Sequence, residues 1–152
     1  MKIVIPNFKE IEIKNIVLDY NGTIAKDGRI KKEVKNILQQ LKEFNIYIIT
    51  ADTHGNVKDN IKDLNVNLKI LTSSNHIKEK GEFVKSLKNV FAIGNGNNDS
   101  LMLKEALIGV CVIEDEGCSK DAFLNADIVC KSIEDALNLI KYPKRMIATL
   151  RR

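Results

Sequence analysis

The chain has 152 residues, 44% hydrophobic and 29% charged, and its 24 Lys and Arg against 20 Asp and Glu leave a net charge of +4. That length suits one domain with a real core; the mild basic excess fits an anionic small molecule, and neither it nor the 5% of aromatic residues points to nucleic acid or to base stacking. Cys111, Cys118 and Cys130 are odd in number and lack C-x-x-C spacing, which excludes a disulfide framework and a thiolate zinc site; no apolar run approaches the roughly 18 residues of a membrane span.

Residues 1–14 alternate, with Ile3 and Ile5 and then Ile11 and Ile13 about Pro6–Asn7, the pattern of a β-hairpin or two short edge strands. The opening stretch carries one charge and few apolar residues, unlike a signal peptide, so a reducing cytoplasm is the expected compartment. Ile16, Val17 and Leu18 predict a buried parallel strand that runs straight into Asp19. Gly22 lets the backbone turn, and Lys26–Asp27–Gly28 predicts a small flap beside that turn. Val34, Ile37, Leu38, Leu41 and Phe44 keep the spacing of an amphipathic helix over 31–43. A second buried strand, Asn45–Thr50, ends in a hydroxyl and completes a βαβ unit, which implies parallel pairing and a right-handed crossover.

Val57, Ile61 and Leu64 mark a short helix, Val66, Leu68 and Ile70 a third strand, and Val84 and Leu87 a helix over 77–88. A fourth strand over 90–93 opens into Gly94–Asn95–Gly96–Asn97–Asn98–Asp99, followed by an apolar helix. Strands over 108–113 and 127–130 flank a short helix at 120–125, with Cys111 and Cys130 expected in the core. Ser132 predicts the N-cap of a helix to about residue 140, with Asp135 as capping partner. Residues 141–152 read as a basic tail, so that 1–152 is a single α/β domain with a mostly parallel sheet flanked by helices.

Polar groups end several of these strands: Asp19, Thr50, and the loop closing on Asp99. Ligands of an open parallel sheet bind beyond the carboxyl ends of its strands, so these groups are expected to converge. Carboxylates and amides there suit Mg²⁺, a lysine would neutralise phosphate, and an Asp can attack phosphorus to form an aspartyl-phosphate.

Four motifs, in order, carry a family resemblance. They are Asp19–Tyr20–Asn21–Gly22–Thr23; Thr50–Ala51–Asp52; Lys80 with Val84 and Leu87; and Gly94–Asn95–Gly96–Asn97–Asn98–Asp99. Together they resemble the haloacid dehalogenase-like (HAD) superfamily in its phosphoryl-transfer branch, and most of all the phosphorylation domain of P-type ATPases. The resemblance implies a Rossmann-like HAD-type sheet and a Mg²⁺-dependent phosphohydrolase. Asp19 would be the nucleophile, with Asn21, Thr50 and Lys80 as its catalytic partners. Thr23, Thr50, Ala51, Lys80 and Asn98 would bind substrate, and Asp19, Asn21, Asn95 and Asp99 would hold the metal. About 27 residues separate Thr23 from Thr50 and about 30 separate Thr50 from Lys80, too few for the family's cap domains. A capless site is open, is covered by oligomerisation, or serves a bulky substrate; the expected partners are a small phosphorylated substrate, nucleotides included, and a second copy of the chain, with no membrane and no nucleic acid.

Two positions depart from the pattern. HAD phosphatases usually have an acid two residues after the nucleophile, and Asn21 cannot deliver a proton in that role. P-type ATPases lack that acid as well. Asn95 stands where the family has a metal-binding Asp, which predicts weaker Mg²⁺ affinity or a shift of the direct role to Asp99. These departures motivate the rival reading of a non-catalytic phosphate- or nucleotide-binding module; a nucleic-acid-associated protein using the basic tail is a second rival. Plainer roles stay open residue by residue. Asp19 and Thr50 can simply end strands, and the 94–99 loop can be a turn with an N-cap. Lys78 and Lys85 are alternative registers for Lys80. Asp52 caps the helix at Val57 or lines the site; His54 is placed to line the pocket, whereas His76 reads as surface. Cys118 falls in a loop, and Arg145, Arg151 and Arg152 are solvated or reach a neighbouring subunit.

Overall fold

The computed structural model describes residues 1–52 and 55–152. The N-terminal alternation forms the predicted hairpin of β1 (Lys2–Ile5) and β2 (Lys9–Glu12), paired antiparallel with Ile3 opposite Ile11. β3 (Asn15–Asp19) follows, buried at every residue. The flap is a two-residue hairpin, β4 (Ala25–Lys26) and β5 (Arg29–Ile30). Its turn residues Asp27 and Gly28 have φ of 50° and 75°, the left-handed pair that a tight hairpin with the native strand twist requires.

Helices and strands then alternate: α1 (Lys32–Gln40), β6 (Asn45–Thr50), α2 (Val57–Ile61), β7 (Asn67–Ile70), α3 (His76–Leu87) and β8 (Val90–Gly94). A 3₁₀ turn at Asn97–Asp99 leads into α4 (Ser100–Glu105), β9 (Ile108–Val112), α5 (Lys120–Asn125), β10 (Ile128–Cys130), α6 (Ile133–Lys141) and α7 (Pro143–Leu150). Ser132 does cap α6, its side chain accepting from the Asp135 amide.

Six strands form one sheet in the order β10-β9-β8-β3-β6-β7, and every pairing in it is parallel. This is the α/β architecture that the resemblance implies, and no inserted cap domain interrupts it among the described residues. Period-two alternation sends the two faces of β3 to different layers. Ile16 and Leu18 join the cluster with Val34 and Leu38 of α1, Val57 and Ile61 of α2, Leu137 of α6 and Met146 of α7. Val17 joins Val84 of α3, Met102 and Leu103 of α4 and Ala122 of α5 on the other face. Cys111 is fully buried, whereas Cys130, on the edge strand β10, is only partly so. No helix among the described residues is long and apolar enough to cross a membrane.

The basic tail is the element that differs most from expectation. Pro143 opens a helix at its first turn, where its missing N–H costs nothing. Met146 of α7 is buried, and the Arg145 and Arg152 guanidiniums lie over the rings of Tyr142 and Phe8. The Arg152 amide donates to the Pro6 carbonyl at 3.2 Å, and Asn7 Nδ2 donates to the Arg152 carbonyl at 2.8 Å. Apolar residues on one face of the segment outweigh its charge, and α7 clasps the N-terminal hairpin instead of lying free in solvent.

Candidate active site

β3, β6 and β8 lie side by side and end together, which sets Asp19, Thr50 and Asn95 around one mouth. Beneath the mouth lies a buried ion cluster. Lys80 Nζ donates to Asp19 Oδ1 at 2.5 Å and to Asp99 Oδ1 at 2.7 Å. Lys80 and Asp99 are 0% exposed and Asp19 is 6% exposed, so two carboxylates share one ammonium in a largely desolvated setting. Burial works against the charge on Lys80, but Asp19 and Asp99 more than offset it and push its pKa up, so it stays an ammonium. Burial, and then the negative charge of Asp99, push the Asp19 carboxyl from its ordinary 3.8 up to about 6, against the opposing pull of Lys80 and Thr23.

The surrounding backbone is built to hold these groups. Asn75 caps α3 by accepting from the Lys78 amide, and Glu79 accepts from the amides of Thr72 and Ser73, which pins the turn that delivers Lys80. Those amides, that of Ser73 first, hold the Glu79 carboxyl down at about 2. Asp99 Oδ2 accepts from the amides of Asn95 and Gly96, both at 2.9 Å. This requires close approach to the β8 end: a Cβ on Gly94 would lie 2.5 Å from the Asp99 carboxyl carbon. Thr23 Oγ1 sits 3.0 Å from Asp19 Oδ2 and 3.2 Å from Asn95 Oδ1, while Asn95 Nδ2 donates to the Gly117 carbonyl at 3.0 Å. The amide of Asn95 is therefore turned with its oxygen toward Thr23, which also bonds Asp19.

Asp19, Asn21, Thr50, Ala51, Lys80, Asn95 and Asn98 all line one cavity of about 230 Å³. Thr23 lies just behind Asp19, as a support for the carboxylate. Asp99, expected to hold the metal, gives one oxygen to Lys80 and the other to two backbone amides, and so anchors the loop from beneath. Lys78 and Lys85 point to the surface, paired with Glu82 and Glu105. Asp52 does both things proposed for it, accepting from the Val57 amide at 3.4 Å and lining the cavity. His54 lies outside the described residues.

The residue that sequence reasoning missed is Glu116. It lines this cavity and also an adjoining one of about 290 Å³, walled by Tyr20, Asn21, Asp27, Asp52 and Asn56. Its signal was the acidic run Glu114–Asp115–Glu116 directly after a strand that ends at the same edge of the sheet.

Among the described residues no cluster of three His, Cys, Asp or Glu side chains forms a metal centre. The oxygen-bearing residues lining the mouth are instead Asp19, Asn21 and Asn95. Such a hard set fits Mg²⁺, which keeps several waters and needs few protein ligands.

No family model matches the chain. It is 53% identical over 64 residues to an uncharacterized protein of Methanocaldococcus jannaschii, covering 42% of this chain and 69% of that protein. The chain belongs to one family with it. It is 26% identical over 125 residues to a soluble P-type ATPase-like phosphatase of the same organism, covering 78% of this chain and 46% of that protein. Among solved structures, the 3-deoxy-D-manno-octulosonate 8-phosphate phosphatase of Moraxella catarrhalis, in complex with magnesium, phosphate and KDO, superposes with a TM-score of 0.68 at 18% identity over 91% of this chain and 94% of that one.

Proposed function

We propose that this chain, which has the haloacid dehalogenase-like fold, is a Mg²⁺-dependent phosphohydrolase working through an aspartyl-phosphate on Asp19. The observation that carries this reading is the buried Asp19–Lys80–Asp99 cluster opening onto one cavity beside Thr50 and Asn95. Apolar replacements of such buried ion clusters are often neutral or stabilising. Stability therefore does not account for the cluster, whereas chemistry does.

Asp19 attacks the phosphorus of a phosphate monoester and the bond to the leaving oxygen breaks. That oxygen takes its proton from water, because Asn21 has none to give in this role. Lys80 orients the Asp19 carboxylate and offsets the charge brought by the phosphoryl group. The Thr50 hydroxyl, the chain at Ala51 and the Asn98 side chain hold the phosphoryl oxygens. Asp19, Asn21 and Asn95 would hold the cation, which would supply further neutralisation of phosphate charge. Water then hydrolyses the acyl phosphate, restoring Asp19 and releasing inorganic phosphate; without an acid–base at Asn21 this step is slow.

The adjoining cavity of about 290 Å³ takes the leaving group. Asp27, Asp52 and Glu116 on its walls repel additional phosphates, which supports a small monophosphate ester over a nucleoside triphosphate.

Hydrolysis of p-nitrophenyl phosphate and of ATP, titrated with Mg²⁺, tests the reading on wild type and Asp19→Asn together. Mg²⁺-dependent turnover of the monoester that vanishes in the variant is the expected result. Turnover in neither protein would overturn it and favour a phosphate-binding module, the reading that Asn21 and Asn95 motivate; phosphate binding unaffected by Asp19→Asn would then be its signature.

A further inference from the structure

Asn95 removes one negative charge from the mouth, and the structure carries a carboxylate that returns it. The loop after β9 has three consecutive acids, and two of them are committed. Glu114 accepts from the Ile133 amide at 2.6 Å and from Lys31 at 2.9 Å, which ties the loop to α6 and to the start of α1. Asp115 pairs with Lys26 of the flap at 2.6 Å. The loop is also stitched to the site itself, through Asn95 Nδ2 to the Gly117 carbonyl and the Ser119 amide to the Asn95 carbonyl, at 3.0 and 2.8 Å. Glu116, between these anchors, has no hydrogen-bond or ion-pair partner among the described residues. Its side chain is aimed at the mouth.

Gly22 makes that aim possible. A Cβ there would lie 2.6 Å from Glu116 Oε2, 2.8 Å from Asn95 Nδ2 and 3.1 Å from Asn95 Oδ1. The carboxylate and the amide thus meet over the same bare backbone, one residue past Asn21. Gly22 also holds a φ of 76°, which disfavours any side chain at that position.

We propose that Glu116 is the second anionic group of the divalent-cation site, reaching the ion directly or through one of its waters and supplying the charge that Asn95 lacks. This rests on the phosphohydrolase reading above. The all-oxygen set then has two carboxylates, Asp19 and Glu116, with the Asn95 oxygen and the Asn21 carbonyl neutral, a balance that suits a hard cation.

The test is isothermal titration calorimetry with MgCl₂ alone, on wild type, Glu116→Gln, Asp115→Asn and the double variant Asn95→Asp/Glu116→Gln. Glu116 is exposed, so its neutral isostere folds. The expected result is a loss of about 10-fold or more in Mg²⁺ affinity for Glu116→Gln, the scale seen when a supporting ligand is removed from a metal site. Asp115→Asn, which removes the same charge from the same loop, stays within about twofold of wild type, and Asn95→Asp restores the affinity lost by Glu116→Gln. Glu116→Gln binding like wild type, or Asp115→Asn losing as much, overturns the assignment and leaves the phosphohydrolase reading standing. A wild-type protein that binds no Mg²⁺ overturns both.

Discussion

Asp19→Asn removes the nucleophile, and it should also make the protein more stable. The buried cluster holds two carboxylates and one ammonium, so it carries an excess negative charge without solvent. A carboxyl whose pKa in the folded chain lies above its unfolded value favours folding while protonated. For Asp19 that contribution is complete below 3.8 and is lost as pH rises through about 6. A displacement from 3.8 to about 6 corresponds to at most about 3 kcal/mol at pH 7. Asparagine is the neutral isostere and escapes that loss. At about 2–4 °C per kcal/mol for a chain of this size, the variant should melt above wild type at pH 7 in EDTA, by at most about 6–12 °C. At pH 4 the two should melt nearly together. Thermal unfolding followed by circular dichroism from pH 4 to pH 8 measures the gap. A gap of equal size at both ends of that range, or a variant that melts below wild type at pH 7, would refute the reasoning.

Lys80→Met should act in the opposite sense, leaving two buried carboxylates with no cation; a loss of about 3–5 kcal/mol in urea unfolding at pH 7 is expected, together with loss of turnover. Asn21→Asp places an acid–base between the two cavities and should raise turnover of the monoester by about 10-fold or more, toward the range typical of general acid–base catalysis; steady-state kinetics reads it, and an unchanged rate would mean that the proton is not limiting. Glu79, held at about 2 in the folded chain against an ordinary 4.5, stabilises fully above 4.5 and loses that contribution as pH falls toward 2. Glu79→Gln should therefore melt below wild type at neutral pH, with the difference shrinking as melts are taken further below pH 4.5.

Much of this architecture is legible in the sequence. Ile16–Val17–Leu18 is too apolar for a half-exposed strand, and the structure buries all three, on both faces of the sheet. The hairpin, the order of strands and helices, and the limits Lys120–Asn125 of α5 follow from periodicity and turn residues alone. Periodicity fails at α1, which stops at Gln40, short of residue 43, because the chain closes with a tight turn from the Leu41 amide to the Leu38 carbonyl. It also fails at α7, where basic residues on one side conceal Met146, Ile147 and Leu150 on the other. In the site, residue types and spacing identify the groups but not their facing. Whether Asp99 looks toward a cation or toward Lys80 depends on which amides reach it, and those come from the backbone of Asn95 and Gly96. Glu116 is invisible to local reasoning because its meaning lies in the bare backbone of Gly22, which is distant in sequence.

The clasp between α7 and the hairpin has a practical side. Met1 donates to the Ile13 carbonyl, Lys14 and Asn15 to that of Asn89, and Arg152 to that of Pro6, so both ends of the chain gather beneath the amino ends of the strands. The mouth opens at the opposite edge of the sheet. A fluorophore, a surface tether or a fused domain attached at either end therefore sits a full strand length from Asp19 and leaves approach to the cavity free. Because Arg152 already touches the backbone of Pro6, a linker of about six residues spans the length of β1 to Met1.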